Sequence, residues 1–303
     1  MGLLPGPGTE LAEARVYQPG EDDVRHMDWA VTARTTTPHV RDLIADHELE
    51  AWALVDLSAS MDFGTAELEK RDLVVAALAA VGFLTVRLGD RVGAYILHQG
   101  SIRRWPARAG KAAMYAMLQS ILDAERTPAR RGGPGLAAAI SDLARGQTRR
   151  GLRVVISDFL DSGFPDGAPG PDDPESGSAP TGTLSPAADG RPAWERPLRR
   201  LATRHQVLAV EIIDPRELDL PDVGLVQMSD PESGAVREIV LSARVRRDYA
   251  QAAAAQRART RDALRRSGAH HLVLRTDRDW ITDVARFAMR QRRIAGRAAG
   301  ARA

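Results

Sequence analysis

The run from Leu49 to Asp62 constrains the fold more than any other stretch of this chain. Ala51 to Val55 is continuously apolar and then gives way abruptly to Asp56, Ser58, Ser60 and Asp62. An apolar run of this length suits a strand covered on both faces, as in a parallel sheet. In such sheets ligands sit beyond the carboxyl ends of the strands, where this polar cluster falls. Asp56, Ser58 and Ser60 alternate in sequence, so an extended chain would point their side chains the same way. One carboxylate and two hydroxyls converging on a point make a hard-oxygen site of the type Mg²⁺ prefers.

The remaining pattern repeats the motif of a buried strand followed by a helix. Glu67 to Leu88 reads as a helix with an apolar body, Arg91 to Leu97 as a strand, and Ser101 to Trp105 as its short partner. Helices are expected over Lys111–Leu122 and Leu136–Leu143, separated by the turn Gly132-Gly133-Pro134-Gly135. Leu152 to Ile156 is a second buried strand and ends in Ser157-Asp158. By sequence alone Asp158 is equally well a site residue or a turn or helix-cap residue. Trp194–Thr203 reads as a helix, Gln206–Ile213 as a strand, and 223–228 with 236–241 as a hairpin. Ser242 caps a long helix, His271–Arg275 forms a last strand, and Asp279–Arg293 a last helix. His270 and His271 are adjacent, so on a strand they face opposite ways and do not share an ion.

The motifs together carry a family resemblance. Asp56-x-Ser58-x-Ser60 after a buried strand resembles the metal-ion-dependent adhesion site of von Willebrand factor type A domains. Upstream, Arg15-x-Tyr17-x-Pro19-Gly20-Glu21-Asp22, Arg25, Asp28-Trp29 and Ala33-Arg34 resemble the signature of the domain of unknown function number fifty-eight family. That resemblance covers most of the chain. It implies an α/β, Rossmann-like fold: a mostly parallel central sheet, helices on both faces, and an antiparallel edge strand. It makes Asp158 the metal ligand supplied by a neighbouring strand, completing a set of Asp56, Ser58, Ser60 and Asp158 around Mg²⁺ or another divalent cation. Pro134 stands where the pattern expects a Thr and has no hydroxyl, which implies weaker binding or none. Members of the family commonly accompany MoxR-type AAA+ ATPases in chaperone-like assembly or maturation of other proteins. The resemblance therefore implies a non-enzymatic interaction module with such an ATPase and a client protein as partners.

The chain divides into an N-terminal segment 1–48 bearing the signature, a domain 49–293, and a basic tail 294–303. Residues 163–192 are almost devoid of large apolar side chains and read as a disordered insertion. Residues 1–10, rich in Gly and Pro, are expected to be poorly ordered. Trp29 is expected to anchor packing, and Arg25, Asp28 and Arg34 to form a structural ion-pair set.

Composition narrows the function classes. There is no cysteine among the 303 residues, which excludes disulfides and thiolate chemistry. Net charge is +2 although the basic residues are nearly all arginine, the lysines being Lys70 and Lys111. That balance argues against a nonspecific nucleic-acid binder. The apolar stretch Leu73–Val86 is too short to span a bilayer and suits a buried helix. With no signal-like N-terminus, a cytoplasmic location is expected. No P-loop, nucleophile elbow or zinc-protease spacing occurs. Two other function classes stay open: a metal-dependent phosphoester hydrolase using Asp56 or Asp158, and an arginine-mediated phosphate or nucleic-acid binder.

Overall fold

The structure, a computed structural model, describes residues 5–18, 27–44, 50–86, 90–126, 134–160, 191–229 and 236–300. The chain forms two compact units, Met1–Leu49 and Glu50–Ala303. In the first, β1 (Pro5–Val16) pairs antiparallel with β2 (His39–Ile44), and α1 (Trp29–Thr35) precedes β2. The Gly- and Pro-bearing N-terminus is thus a strand from Pro5 onward. Register shifts at Pro5/Glu10 and Leu11/Ala14 accommodate residues that would break an even ladder. Asp28 caps α1, its Oδ1 accepting from the backbone N–H groups of Ala30 and Val31 at 3.1 Å each. Trp29 does not anchor packing; it is the first residue of a helix without buried side chains and is 69% exposed. Pro19 to Arg25 of the signature lie outside the described residues, as does the low-complexity stretch over 163–190.

The second unit is built on one six-stranded sheet. Its strands are β3 (Glu50–Leu57), β4 (Arg91–His98), β5 (Ser101–Arg108), β6 (Leu152–Ser157), β7 (Gln206–Ile213) and β10 (His270–Arg275). They lie in the order β10-β7-β6-β3-β4-β5, all parallel except the antiparallel edge pair β4–β5. A separate hairpin of β8 (Leu225–Ser229) and β9 (Val236–Val240) follows β7.

Strand alternation sorts the core into two layers. Ala51, Ala53, Val55 and Leu57 face α2 (Lys70–Val86) and α3 (Lys111–Leu122), with Trp280, Val284 and Phe287 of α7 (Trp280–Gly300) on the same side. Trp52 and Leu54 face α4 (Leu136–Gly146), α5 (Glu195–Ala202) and α6 (Ala243–Ser267). Covering both faces is what turns β3 into a continuous apolar run rather than an alternating one. The last helix continues to Gly300, so residues 294–300 of the basic C-terminal segment are helical.

Trp52 sits beside Gly93 across the β3–β4 ladder. A Cβ added at Gly93 would lie 2.5 Å from the indole, so the glycine leaves the space the ring fills. Tyr95 packs on the same ring at 5.6 Å, and the Arg104 guanidinium stacks over it at 5.0 Å. On β5, Arg103, Arg104 and Arg108 are exposed, and Pro106 interrupts the row of N–H donors.

At the amino ends of the strands, Arg153 is fully buried and donates to the carbonyls of Glu50, Leu152 and Arg149. His205 lies nearby. Burial, reinforced by the charges of Arg153, Arg204 and Arg150, lowers its imidazole to about 4. The folded state therefore keeps His205 neutral while the unfolded chain protonates it near its ordinary pKa of about 6.5. Stability from this group is complete above that value and is lost as pH falls toward 4.

Two tests follow from this packing. Gly93→Ala forces the indole to move and is expected to destabilise the protein by about 1–3 kcal/mol in urea unfolding. Unfolding midpoints measured between pH 7.5 and 4.5 are expected to fall less steeply in His205→Gln than in the wild type.

Candidate functional site

Numbering the strands of the large sheet in chain order, their spatial order is 3-2-1-4-5-6, with β3 first and β6 fourth. The connections leave in opposite directions between these two strands, and the crevice beyond their carboxyl ends is where doubly wound sheets place ligands. Asp56 and Asp158 stand at those two ends.

Asp56 is the penultimate residue of β3 and is 4% exposed. Its Oδ1 accepts from the backbone N–H of Ser58 at 2.9 Å and its Oδ2 from the Ser157 hydroxyl at 2.6 Å. Ser157 in turn accepts from the Phe159 N–H at 3.0 Å, and its own bond to Asp56 joins the two strand ends. Burial pushes the Asp56 carboxyl up from its usual range and the charge of Asp158 adds to this, while Ser157 and Ser58 oppose it.

The serines meet by a different route from simple alternation. The strand stops at Leu57, Ser58 stays extended at φ −64° and ψ 165°, and Ala59–Met61 wind into a 3₁₀ turn. That turn brings the hydroxyls of Ser58 and Ser60 within 3.2 Å of each other. Met61 anchors the turn in the core with 0% exposure, and Arg71 holds Asp62 at 2.8 Å.

Asp158 follows β6 and is 6% exposed. Its Oδ1 accepts from the Leu160 N–H at 3.0 Å, and its Oδ2 receives the Lys70 ammonium at 2.7 Å. Lys70, at the start of α2, is 0% exposed and also donates to Glu217 at 2.5 Å. Burial favours the neutral amine, yet the carboxylates of Asp158 and Glu217 hold the ammonium above its usual range. Phe159, next in the chain, has φ +55° although it is bulky and buried. Its ring packs edge-on to Trp194 at 5.1 Å, and the Trp194 indole N–H donates to its carbonyl at 3.2 Å. A left-handed aromatic residue stores about 1–3 kcal/mol of strain, and such strain clusters at functional sites.

The ion pair continues into the end of β7. Asp214 and Glu217 form a capping box around the 3₁₀ turn Pro215–Glu217, the Asp214 N–H donating to Glu217 Oε2 at 3.0 Å. The Asp214 carboxylate accepts from the Thr65 N–H, the Thr65 hydroxyl, the Arg216 N–H and the Thr276 hydroxyl at 2.9, 2.5, 2.9 and 2.9 Å. Burial alone would raise this carboxyl, but those donors hold it below the usual carboxylate range. Ser157, Lys70, Asp214 and Glu217 were not among the sequence-derived site residues. Lys70 alone left a signal, as one of two lysines in an arginine-rich chain.

The sequence-derived set thus separates into two parts. Ser58 and Ser60 bring their hydroxyls together next to Asp56, whose two oxygens accept from the Ser58 N–H and the Ser157 hydroxyl; carboxylate and hydroxyl oxygens are the ligand type a hard cation takes. Asp158 stands at the same end of the sheet, but its charge is already matched by Lys70. Pro134 is exposed and offers no hydroxyl. Among the described residues, no group of three or more His, Cys, Asp or Glu side chains is arranged to hold a metal ion.

A family model described as Protein of unknown function DUF58 matches residues 13–259. The chain belongs to the DUF58 family. It is 50% identical over 293 residues to the uncharacterized protein Rv1480 of Mycobacterium tuberculosis, covering 97% of this chain and 83% of that one. It is 41% identical over 196 residues to the uncharacterized protein MAV169 of Mycobacterium avium, covering 64% of this chain and 98% of that one. Among solved structures, this DUF58 chain is similar to the conserved hypothetical protein BatB from Bacteroides thetaiotaomicron, with TM-score 0.41, 14% identity, and 80% and 98% of the two chains covered. An aerotolerance-related membrane protein from Bacteroides fragilis matches with TM-score 0.40 and 15% identity, over 72% and 99% of the chains. Among the described residues of this chain, no helix is long and apolar enough to cross a membrane.

Asp214→Asn removes the charge that four donors share and is expected to cost about 1–3 kcal/mol in denaturant unfolding at neutral pH. Because the folded carboxyl is depressed, its contribution is present above the unfolded value and lost as pH falls below about 4. The variant is expected to lack that part of the acid limb.

Proposed function

We propose that this DUF58 chain is a non-catalytic protein-interaction module whose docking surface is the rim at the carboxyl ends of β3 and β6. The observation that carries the reading is the coincidence of the sheet's switch point with Asp56, Ser58 and Ser60. The strained Phe159 beside them supports it, since the surrounding packing holds a costly backbone conformation at that spot. The antiparallel β4–β5 edge agrees with the von Willebrand factor A-like resemblance read from the sequence.

Asp56, Ser58 and Ser60 would hold a divalent cation such as Mg²⁺, which keeps coordination positions free of protein ligands. A carboxylate from a partner fills such a position as a charge-assisted, metal-dependent contact. The family resemblance suggests a MoxR-type AAA+ ATPase as that partner, acting with this chain on a client protein in assembly or maturation.

The test is capture of a MoxR-type ATPase from the same genome on the immobilised chain, with Mg²⁺ present. Asp56→Ala and Ser58→Ala/Ser60→Ala are each expected to weaken capture about tenfold, equivalent to about 1.4 kcal/mol. Undiminished capture by both variants would remove the rim from the contact. Mg²⁺-dependent turnover of a generic phosphoester, abolished in Asp56→Ala, would make the chain a hydrolase instead.

A further inference from the structure

Lys70 is an unusual choice of residue for its position. The chain carries 42 basic side chains, and nearly all the others are arginine, yet the fully buried cation at this end of the sheet is a lysine. A guanidinium is a planar fork, whereas an ammonium is a compact point charge with three donors and fits a space of ionic dimensions. Nζ lies 2.7 Å from Asp158 and 2.5 Å from Glu217, so two carboxylates from different strand ends converge on it. Oxygens converging on one buried positive point are what a metal ion gathers.

The consequence for an incoming ion is electrostatic. A divalent cation placed against Asp158 would share that carboxylate with Lys70, and the two positive charges would repel across a dry site. Without Asp158, the protein's ligand set is one carboxylate, Asp56, with two neutral hydroxyls. Affinity of oxygen sites for divalent ions follows the number of ligand charges, and a single charge makes a weak site.

We propose that the Lys70 ammonium is the resident cation of the rim, taking at Asp158 the electrostatic place of a metal ion and keeping divalent-ion affinity low. This rests on reading the rim as a docking surface: an ion held by Asp56, Ser58 and Ser60 then depends on a carboxylate that the partner brings. Rim geometry is maintained by Lys70 whether or not an ion is present.

The test is titration of the full chain with Mn²⁺ alone, followed by calorimetry and by the paramagnetic relaxation of water. Wild type is expected to bind weakly, with Kd of about 1 mM or above. Lys70→Met frees Asp158 and Glu217 and is expected to bind Mn²⁺ about tenfold tighter or more, a gain that Lys70→Met/Asp158→Asn loses. In the wild-type background Asp158→Asn is expected to leave Mn²⁺ affinity within about twofold, because Asp158 is not a ligand there. Micromolar binding by wild type, a marked loss in Asp158→Asn, or no gain in a folded Lys70→Met would each overturn the proposal. Should Lys70→Met fail to fold, wild type and Asp158→Asn still decide it. None of these titrations contains an ATPase, so failure of capture and failure of the Lys70 assignment are read separately.

Discussion

A lysine ammonium without access to water holds the carboxyl end of the sheet together. A buried charge is tolerated only when it is paired and its hydrogen bonds are satisfied. Lys70 meets that condition by drawing in Asp158 from the end of β6 and Glu217 from the turn after β7. Glu217 is fixed by its capping box with Asp214, and Asp214 is fixed by Thr65 and Thr276. Two ion pairs at Lys70, extended by the hydrogen bonds of Asp214, therefore tie the loop before α2, two strand ends and the exit of β10 into a single arrangement.

On that support the two rim carboxylates, Asp56 and Asp158, keep fixed positions although both are nearly buried. The Asp56 carboxylate is oriented by Ser58 and Ser157, both within the same pair of strand ends. The tight 3₁₀ turn after β3 and the left-handed Phe159 after β6 are the two local departures from regular geometry flanking the crevice. Each is pinned by a buried side chain, Met61 in one case and Trp194 in the other.

Much of this was legible in the sequence because burial on both faces leaves a continuous apolar run. Ala51–Val55 and Leu152–Ile156 announced the two central strands, and the polar residues following them announced the rim. Local geometry was less legible. Alternation suggested an extended Asp56–Ser60 segment, whereas the chain turns at Ser58 and brings the Ser58 and Ser60 hydroxyls together by winding. Trp29 looked like a core residue by type, but its place at the start of an exposed helix decided otherwise. The ion pair was invisible because its members are far apart in sequence, Lys70 lying 88 residues from Asp158 and 147 from Glu217. No periodicity or short motif encodes a contact of that separation. The unusual choice of lysine was the single trace it left.

The outer strand β5 carries a further implication. Its guanidinium groups at Arg103 and Arg108 repel a like strand laid alongside, and Pro106 withholds a donor that such a strand would require. Growth of the sheet across this border, whether by a second copy or by an extended peptide, is thereby discouraged.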